Sequence, residues 1–237
     1  YRVLGYSQFE LKDSNAISNM DKLFAKMDSK KLIPSDYIYY GKMLMRSKDS
    51  MKAAQASVYF NKGFALDTTQ DKSGTYRQIA EAFKDVNLYT QSADFYQRIL
   101  VSGSPSVEAL DYWWRGAMFY YSKDYNKADS IYKLMGERYP NEPSSFYWRG
   151  NVTVADKDKD YKNGAATEYF TKWLGMIKLD DPDKKKNLIK AYTYLAMVAY
   201  NNDKHEETRD YANKILALDA NDDTAKQLVT ALDAIKK

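Results

Sequence analysis

The chain has 237 residues, 44% of them hydrophobic and 15% aromatic, which is enough for a sizeable buried core and unlike a disordered polymer. Its 36 basic and 32 acidic residues leave a net charge of +4 and are mixed along the length, so no electrostatic footprint for nucleic acid stands out, and no run approaches the ~18 apolar residues of a membrane span. Cysteine is absent, which excludes disulfides, thiolate metal sites and cysteine nucleophiles, and 10 Gly and 5 Pro are too few for the many tight turns of an all-β fold.

Helical patterns run in chain order instead. Residues 1–34 carry Leu4-Gly5 and then Ala16, Met20 and Leu23, a first helix and a second that returns along it. Residues 35–72 repeat the arrangement with Tyr37, Gly41 and Leu44 followed by Ala56 and Phe60, with extra residues between the two helices. Residues 73–108 give Tyr76, Ile79-Ala80 and Phe83, then Ser92, Tyr96 and Ile99. Residues 109–143 give Tyr112, Gly116 and Phe119, then Ala128, Tyr132 and Pro140. Residues 144–186 give Phe146, Gly150 and Thr153, then Ala166 and Phe170 after a second insertion, and residues 187–221 give Tyr192, Leu195-Ala196, Thr208 and Ala212. Small residues recur where two helices would cross closely, and aromatics recur on one helical face.

The clearest internal match is Tyr112-Trp113-Trp114-Arg115-Gly116 against Phe146-Tyr147-Trp148-Arg149-Gly150, at an offset of 34 residues. The spacing resembles the tetratricopeptide repeat (TPR) family, whose units combine a Trp slot, a Gly slot and a Tyr slot on a first helix with an Ala, an aromatic and a Pro on a second. The resemblance covers roughly residues 1–221 and is weakest at both ends. It implies an all-α fold, an α-solenoid of antiparallel helix hairpins wound as a right-handed superhelix. Residues 222–237 are predicted to close the array with a capping helix: Asp222 or Asp223 starts it, Ala225, Leu228, Val229, Leu232 and Ile235 form its apolar stripe, and Lys226, Gln227, Thr230, Asp233 and Lys236 meet water. No cap precedes Tyr1, as expected for a segment of a larger bacterial protein of this family.

In this family the first helices line a concave surface. The resemblance places Tyr39, Arg77, Trp113, Trp114, Tyr120, Tyr147, Trp148, Asn151, Tyr194 and Tyr200 there as candidate partner-binding residues. Aromatic rings supply large contact area at low entropy cost, so such a groove suits an extended peptide or an apolar helix face. The alternative is that the rings pack between neighbouring repeats. The lysine, arginine and asparagine pattern that holds a terminal carboxylate in some members of the family is not present, since Glu81 follows Arg77 and the next two units present Trp and Tyr.

Arg115 and Arg149 stand in a slot usually filled by leucine and are expected to stack on rings or pair with carboxylates. His205, the only histidine, falls in a predicted turn as a solvated residue without a second ligand or a nucleophile nearby in sequence. Asp156, Asp158 and Asp160 alternate like the start of a calcium loop, but Tyr161 stands where glycine is needed and Thr167 where the closing glutamate belongs, so the segment reads as a solvated insertion. No phosphate-binding glycine loop and no paired carboxylates on an apolar face are present. The expectation is a non-enzymatic scaffold without a cofactor that takes a protein or peptide partner, with no nucleic acid and no membrane insertion. The alternatives are a glycan-binding module of a bacterial envelope using the same aromatic platforms, and a purely structural spacer.

Overall fold

The computed structural model describes residues 1–47 and 50–235, and only the backbone of residues 50 and 52–54. Lys236, expected on the polar face of the last helix, lies outside the described residues, as do residues 48 and 49 of the first insertion. Regular structure among the described residues is helical throughout. The first compact unit, Tyr1–Ser122, contains α1 (Arg2–Glu10), α2 (Ala16–Lys26), α3 (Pro34–Met45), α4 (Ser50–Leu66), α5 (Ser73–Asp85), α6 (Tyr89–Leu100) and α7 (Ala109–Tyr121). The second, Lys123–Lys237, contains α8 (Tyr125–Arg138), α9 (Ser144–Lys157), α10 (Thr167–Met176), α11 (Lys185–Asn201), α12 (His205–Leu218) and α13 (Asp223–Ile235). The boundary between the two units falls between α7 and α8, within the predicted repeat 109–143.

Local chemistry sets the helix ends. Pro34 occupies the first turn of α3, where its missing N–H is no loss, and Asp36 accepts the Ile33 N–H at 2.8 Å. Asp111 does the same for the Glu108 N–H at 2.9 Å, and Asp222 starts α13 by accepting from the Ala225 N–H at 2.9 Å. Four short turns between paired helices use the left-handed backbone at Lys12, Asn87, Lys123 and Asp203, and the insertion between α9 and α10 uses it at Tyr161 and Gly164. A side chain there strains against the following carbonyl. Lys123→Gly is therefore expected to raise stability by about 0.5–1 kcal/mol in urea unfolding.

Within hairpins, a ring is laid against a glycine. A Cβ on Gly41 would sit 2.7 Å from Cε1 of Phe60, and one on Gly150 would sit 2.9 Å from Cε1 of Phe170. Both rings are buried to within 2%. Gly41→Val should cost about 1–3 kcal/mol, because the core must shift to admit the new atoms, and a urea midpoint unchanged by the substitution would refute the close approach. In the hairpin with Ala80 in the glycine slot and Ser92 in the alanine slot, Ser92 Oγ donates to the Ala80 carbonyl at 2.8 Å, satisfying a buried hydroxyl locally. Met20, Leu44, Phe60 and Ile79 centre the core of the first unit, and Phe170, Trp173, Leu188 and Ile215 that of the second.

The last helix packs on α12 and α11 through Ala225, Leu228 and Leu232, all buried. Ile235, expected on the same stripe, is 55% exposed.

Candidate interaction surface

Arginine–aspartate clamps join successive first helices in the first unit. Arg2 donates from Nε and Nη2 to the two oxygens of Asp36, each at 2.7 Å, and also from Nη2 to the Lys31 carbonyl. Arg77 repeats the geometry on Asp111 at 2.8 and 2.7 Å and on the Ser106 carbonyl at 2.6 Å. Each pair spans 34 residues, one repeat length. The fork geometry of guanidinium matches a carboxylate bidentately, which fixes the register of one hairpin against the next. Burial opposes ionisation of Asp36, but Arg2, the Ile33 N–H and the Tyr6 hydroxyl together hold its carboxyl below the ordinary range. A carboxyl depressed in the folded state contributes stability above its unfolded pKa of about 3.9. That contribution should be lost as pH falls through the lower folded value, and Asp36→Asn should flatten the acid limb of a stability–pH curve.

The candidate rings fall into two groups. Tyr147, Asn151 and Tyr194 are buried at 6%, 2% and 3% exposure and offer a partner little surface, contrary to expectation. Tyr147 packs on Phe170 and Trp173. Asn151 Nδ2 donates to the Tyr147 carbonyl at 2.8 Å, and its Oδ1 is buried without a hydrogen bond. The Tyr194 hydroxyl donates to Asp158 at 2.5 Å and accepts the Ala166 N–H at 2.9 Å. Arg77 is also committed, to its clamp. The remaining rings, Tyr39, Trp113, Trp114, Tyr120, Trp148 and Tyr200, are all partly exposed.

Even these rings have structural work. Trp114 stacks on Tyr96 of the preceding second helix at 6.5 Å and 11°, and Trp148 stacks on Tyr132 at 5.9 Å and 22°. Tyr194 holds the same place over Phe170 at 5.1 Å. Packing between repeats and exposure are thus shared by single rings. Tyr39 lies flat on Tyr6 at 4.0 Å, Lys42 Nζ is 5.0 Å from the Tyr39 ring, and Lys84 Nζ is 4.2 Å from Trp114. These cations leave the ring edges and their own N–H donors beside one another.

Other expectations resolve plainly. Arg149 pairs bidentately with Asp129 at 2.8 and 3.2 Å and donates to the Tyr169 hydroxyl. Arg115 lies 5.4 Å from the Phe119 ring with Nε buried and unbonded, and burial lowers its pKa. His205 opens α12 rather than sitting in a solvated turn; it is half-buried, with Nδ1 unbonded. Asp158, expected to be solvated, is 0% exposed: it accepts the Asn163 and Ala165 N–H groups and the Tyr194 hydroxyl, pinning the insertion between α9 and α10. Asn201 adds bonds to the Asp160 and Tyr161 carbonyls.

A cleft of about 670 Å³ at the turn end of the first unit is lined by Phe9, Ile17, Met43 and Arg46 among others. Arg46 covers the Phe9 ring and pairs with Asp85, and Lys12 and Asp13 both line the rim, so the charges of the lining cancel. Among the described residues, no helix is long and apolar enough to cross a membrane.

These paired helices, ring-on-glycine contacts and junctions one repeat apart define an α-solenoid. No family model and no curated protein matches the chain. Among solved structures it is similar to the C-terminal part of a TPR repeat-containing protein from Cytophaga hutchinsonii, at 26% identity and a TM-score of 0.72, over 94% of this chain and 84% of that one. It is also similar in fold to YrrB, a TPR protein with an unusual peptide-binding site, at 13% identity and a TM-score of 0.54 over 89% and 97% of the two chains. PilW, a type IV pilus biogenesis factor, matches at 12% identity and a TM-score of 0.54 over 95% of each chain. The chain has the fold of the tetratricopeptide repeat proteins.

Proposed function

We propose that the chain is a non-enzymatic scaffold that holds a protein or peptide partner on its first-helix rings. Tyr39, Trp113, Trp114 and Tyr120 serve in the first unit, and Trp148 and Tyr200 in the second. The observation that supports this reading is the partial exposure of six large rings that all stand on first helices. Exposed aromatic edges beside the Lys42 and Lys84 donors suit a segment that alternates apolar side chains with hydrogen-bond acceptors. The peptide-binding site of YrrB adds weight to a peptide as the class of partner.

Affinity capture from the native source tests the proposal. The double variant Trp113→Ala/Trp148→Ala should lose its retained partner at least tenfold while circular dichroism keeps its helical signal. Retention equal to the parent chain would remove the ring surface from the account. The stacking of Trp114 on Tyr96 and Trp148 on Tyr132 favours a second reading, a spacer whose rings serve only repeat packing. That reading expects no retained partner for either chain.

A further inference from the structure

Of the asparagines in the sequence, only Asn163 is followed by glycine. The pair lies in the insertion between α9 and α10, with Asn163 exposed and Gly164 in the left-handed region at φ +64°. Asp158 accepts the Asn163 N–H at 2.9 Å and the Ala165 N–H at 3.1 Å, so the backbone is fixed on either side of the Gly164 nitrogen. That nitrogen itself has no hydrogen-bond partner among the described residues. The Asn163 side chain keeps a single long bond, from Nδ2 to the Lys157 carbonyl at 3.5 Å. An unbonded peptide nitrogen next to a loosely held carboxamide, with no side chain on the glycine to obstruct the approach, is the arrangement that closes a cyclic imide.

We propose that Asn163 is a site of spontaneous covalent modification, with water as co-reactant and ammonia as product, and that the change loosens the insertion. The Gly164 nitrogen gives up its proton to solvent hydroxide and attacks Cγ of Asn163. An N–Cγ bond forms, the Cγ–Nδ2 bond breaks, and ammonia leaves with a proton from water. Water then adds to one of the two carbonyls of the cyclic imide and cleaves its bond to the ring nitrogen. Cleavage on one side gives aspartate; cleavage on the other gives isoaspartate, with the main chain rerouted through Cβ. Nothing is oxidised or reduced. Isoaspartate puts one more atom between the two N–H groups that Asp158 holds, and both products add a negative charge beside that carboxylate. Asp158 is fully buried, with the Tyr194 hydroxyl as its other donor, so water replaces a lost N–H only when the insertion lifts from α11. The modification needs no partner and stands apart from the reading above.

Ageing the intact chain in mildly alkaline buffer, with peptide masses read after digestion, tests the site. The exchange of amide for carboxyl should accumulate at Asn163 at least about tenfold faster than at any other asparagine. Its rate in the folded chain should lie no more than about threefold below that in the urea-unfolded chain. A larger suppression would show that the fold shields Asn163, and equal accumulation at other asparagines would show that it is not singled out; either would overturn the proposal. Amide hydrogen exchange across residues 158–166 should be several-fold faster in the aged chain than in the fresh one. Asn163→Gln keeps the backbone N–H at an exposed position but closes the imide poorly. Fresh, it should match the parent in circular dichroism and exchange; aged, it should show neither the mass change at this position nor the faster exchange. Faster exchange that persists in the aged Asn163→Gln chain, or modification of the parent without faster exchange, would overturn the release of the insertion.

Discussion

Asp111→Ala is expected to lower stability by about 2–4 kcal/mol, one of the two largest single-site losses. The substitution removes the carboxylate that Arg77 grips with two hydrogen bonds and, at the same stroke, the acceptor for the Glu108 N–H at the start of α7. Removing one partner of a buried pair costs about 3–5 kcal/mol when the remaining charge has no access to water. Arg77 keeps 32% of its side chain exposed, so solvent recovers part of that loss, and the lost helix start adds back about 1 kcal/mol. Asp111→Asn keeps one acceptor for the backbone and should fall between parent and alanine variant. The check is urea unfolding followed by circular dichroism, with Arg77→Ala as the reciprocal variant. If Asp111→Ala unfolds at the parent midpoint, the clamp is not what holds α5 and α7 in register.

Phe170→Ala is expected to cost about 3–5 kcal/mol. The ring is fully buried, touches Tyr147 and Tyr194 across two neighbouring helices, and fills the space left by the absent side chain of Gly150. Its loss opens a cavity that rigid helices on both sides cannot close. Phe170→Leu should recover more than half of the loss, because volume rather than ring chemistry fills the site. Ile235→Ala is the control: that side chain is more than half exposed and should change stability by less than about 0.5 kcal/mol.

The contact behind the second prediction was legible in sequence, because Gly150 and Phe170 stand in slots defined by spacing alone. The glycine marks a close crossing, and the aromatic marks what fills it. The contact behind the first was half legible. Arg77 and Asp111 stand one repeat apart, but Arg77 follows an aromatic slot and reads as a groove residue, while Asp111 reads as an ordinary first-turn acid. Nothing in their spacing says that a carboxylate buried at 2% exposure needs a cation, because burial is decided by the neighbouring hairpin.

The candidate surface divided for the same reason. Trp148 and Tyr194 occupy one repeat position, two residues after the aromatic slot, yet one stays partly exposed and the other is buried. The difference is Asp158, which lies 36 residues before Tyr194 and reads as part of a solvated charge run. Once the insertion folds back on α11, its buried carboxylate needs a donor, and the Tyr194 hydroxyl provides it. Tyr147 is drawn inward by Trp173, a ring on α10 that the repeat pattern does not mark. Periodicity fixed which helix face each ring shares, and the insertions and unpatterned rings then decided which of them water still reaches.

The most direct test of the account is site-specific photocrosslinking in an extract of the native source. A benzophenone side chain replaces Tyr120 or Tyr200 on the first-helix surface, or Lys133 on the exposed side of α8 as a reference. The account predicts a discrete adduct from Tyr120 or Tyr200 that is absent from Lys133 and is lost in the Trp113→Ala/Trp148→Ala background. Adducts of equal yield from Lys133, or adducts that persist without the tryptophans, would contradict it.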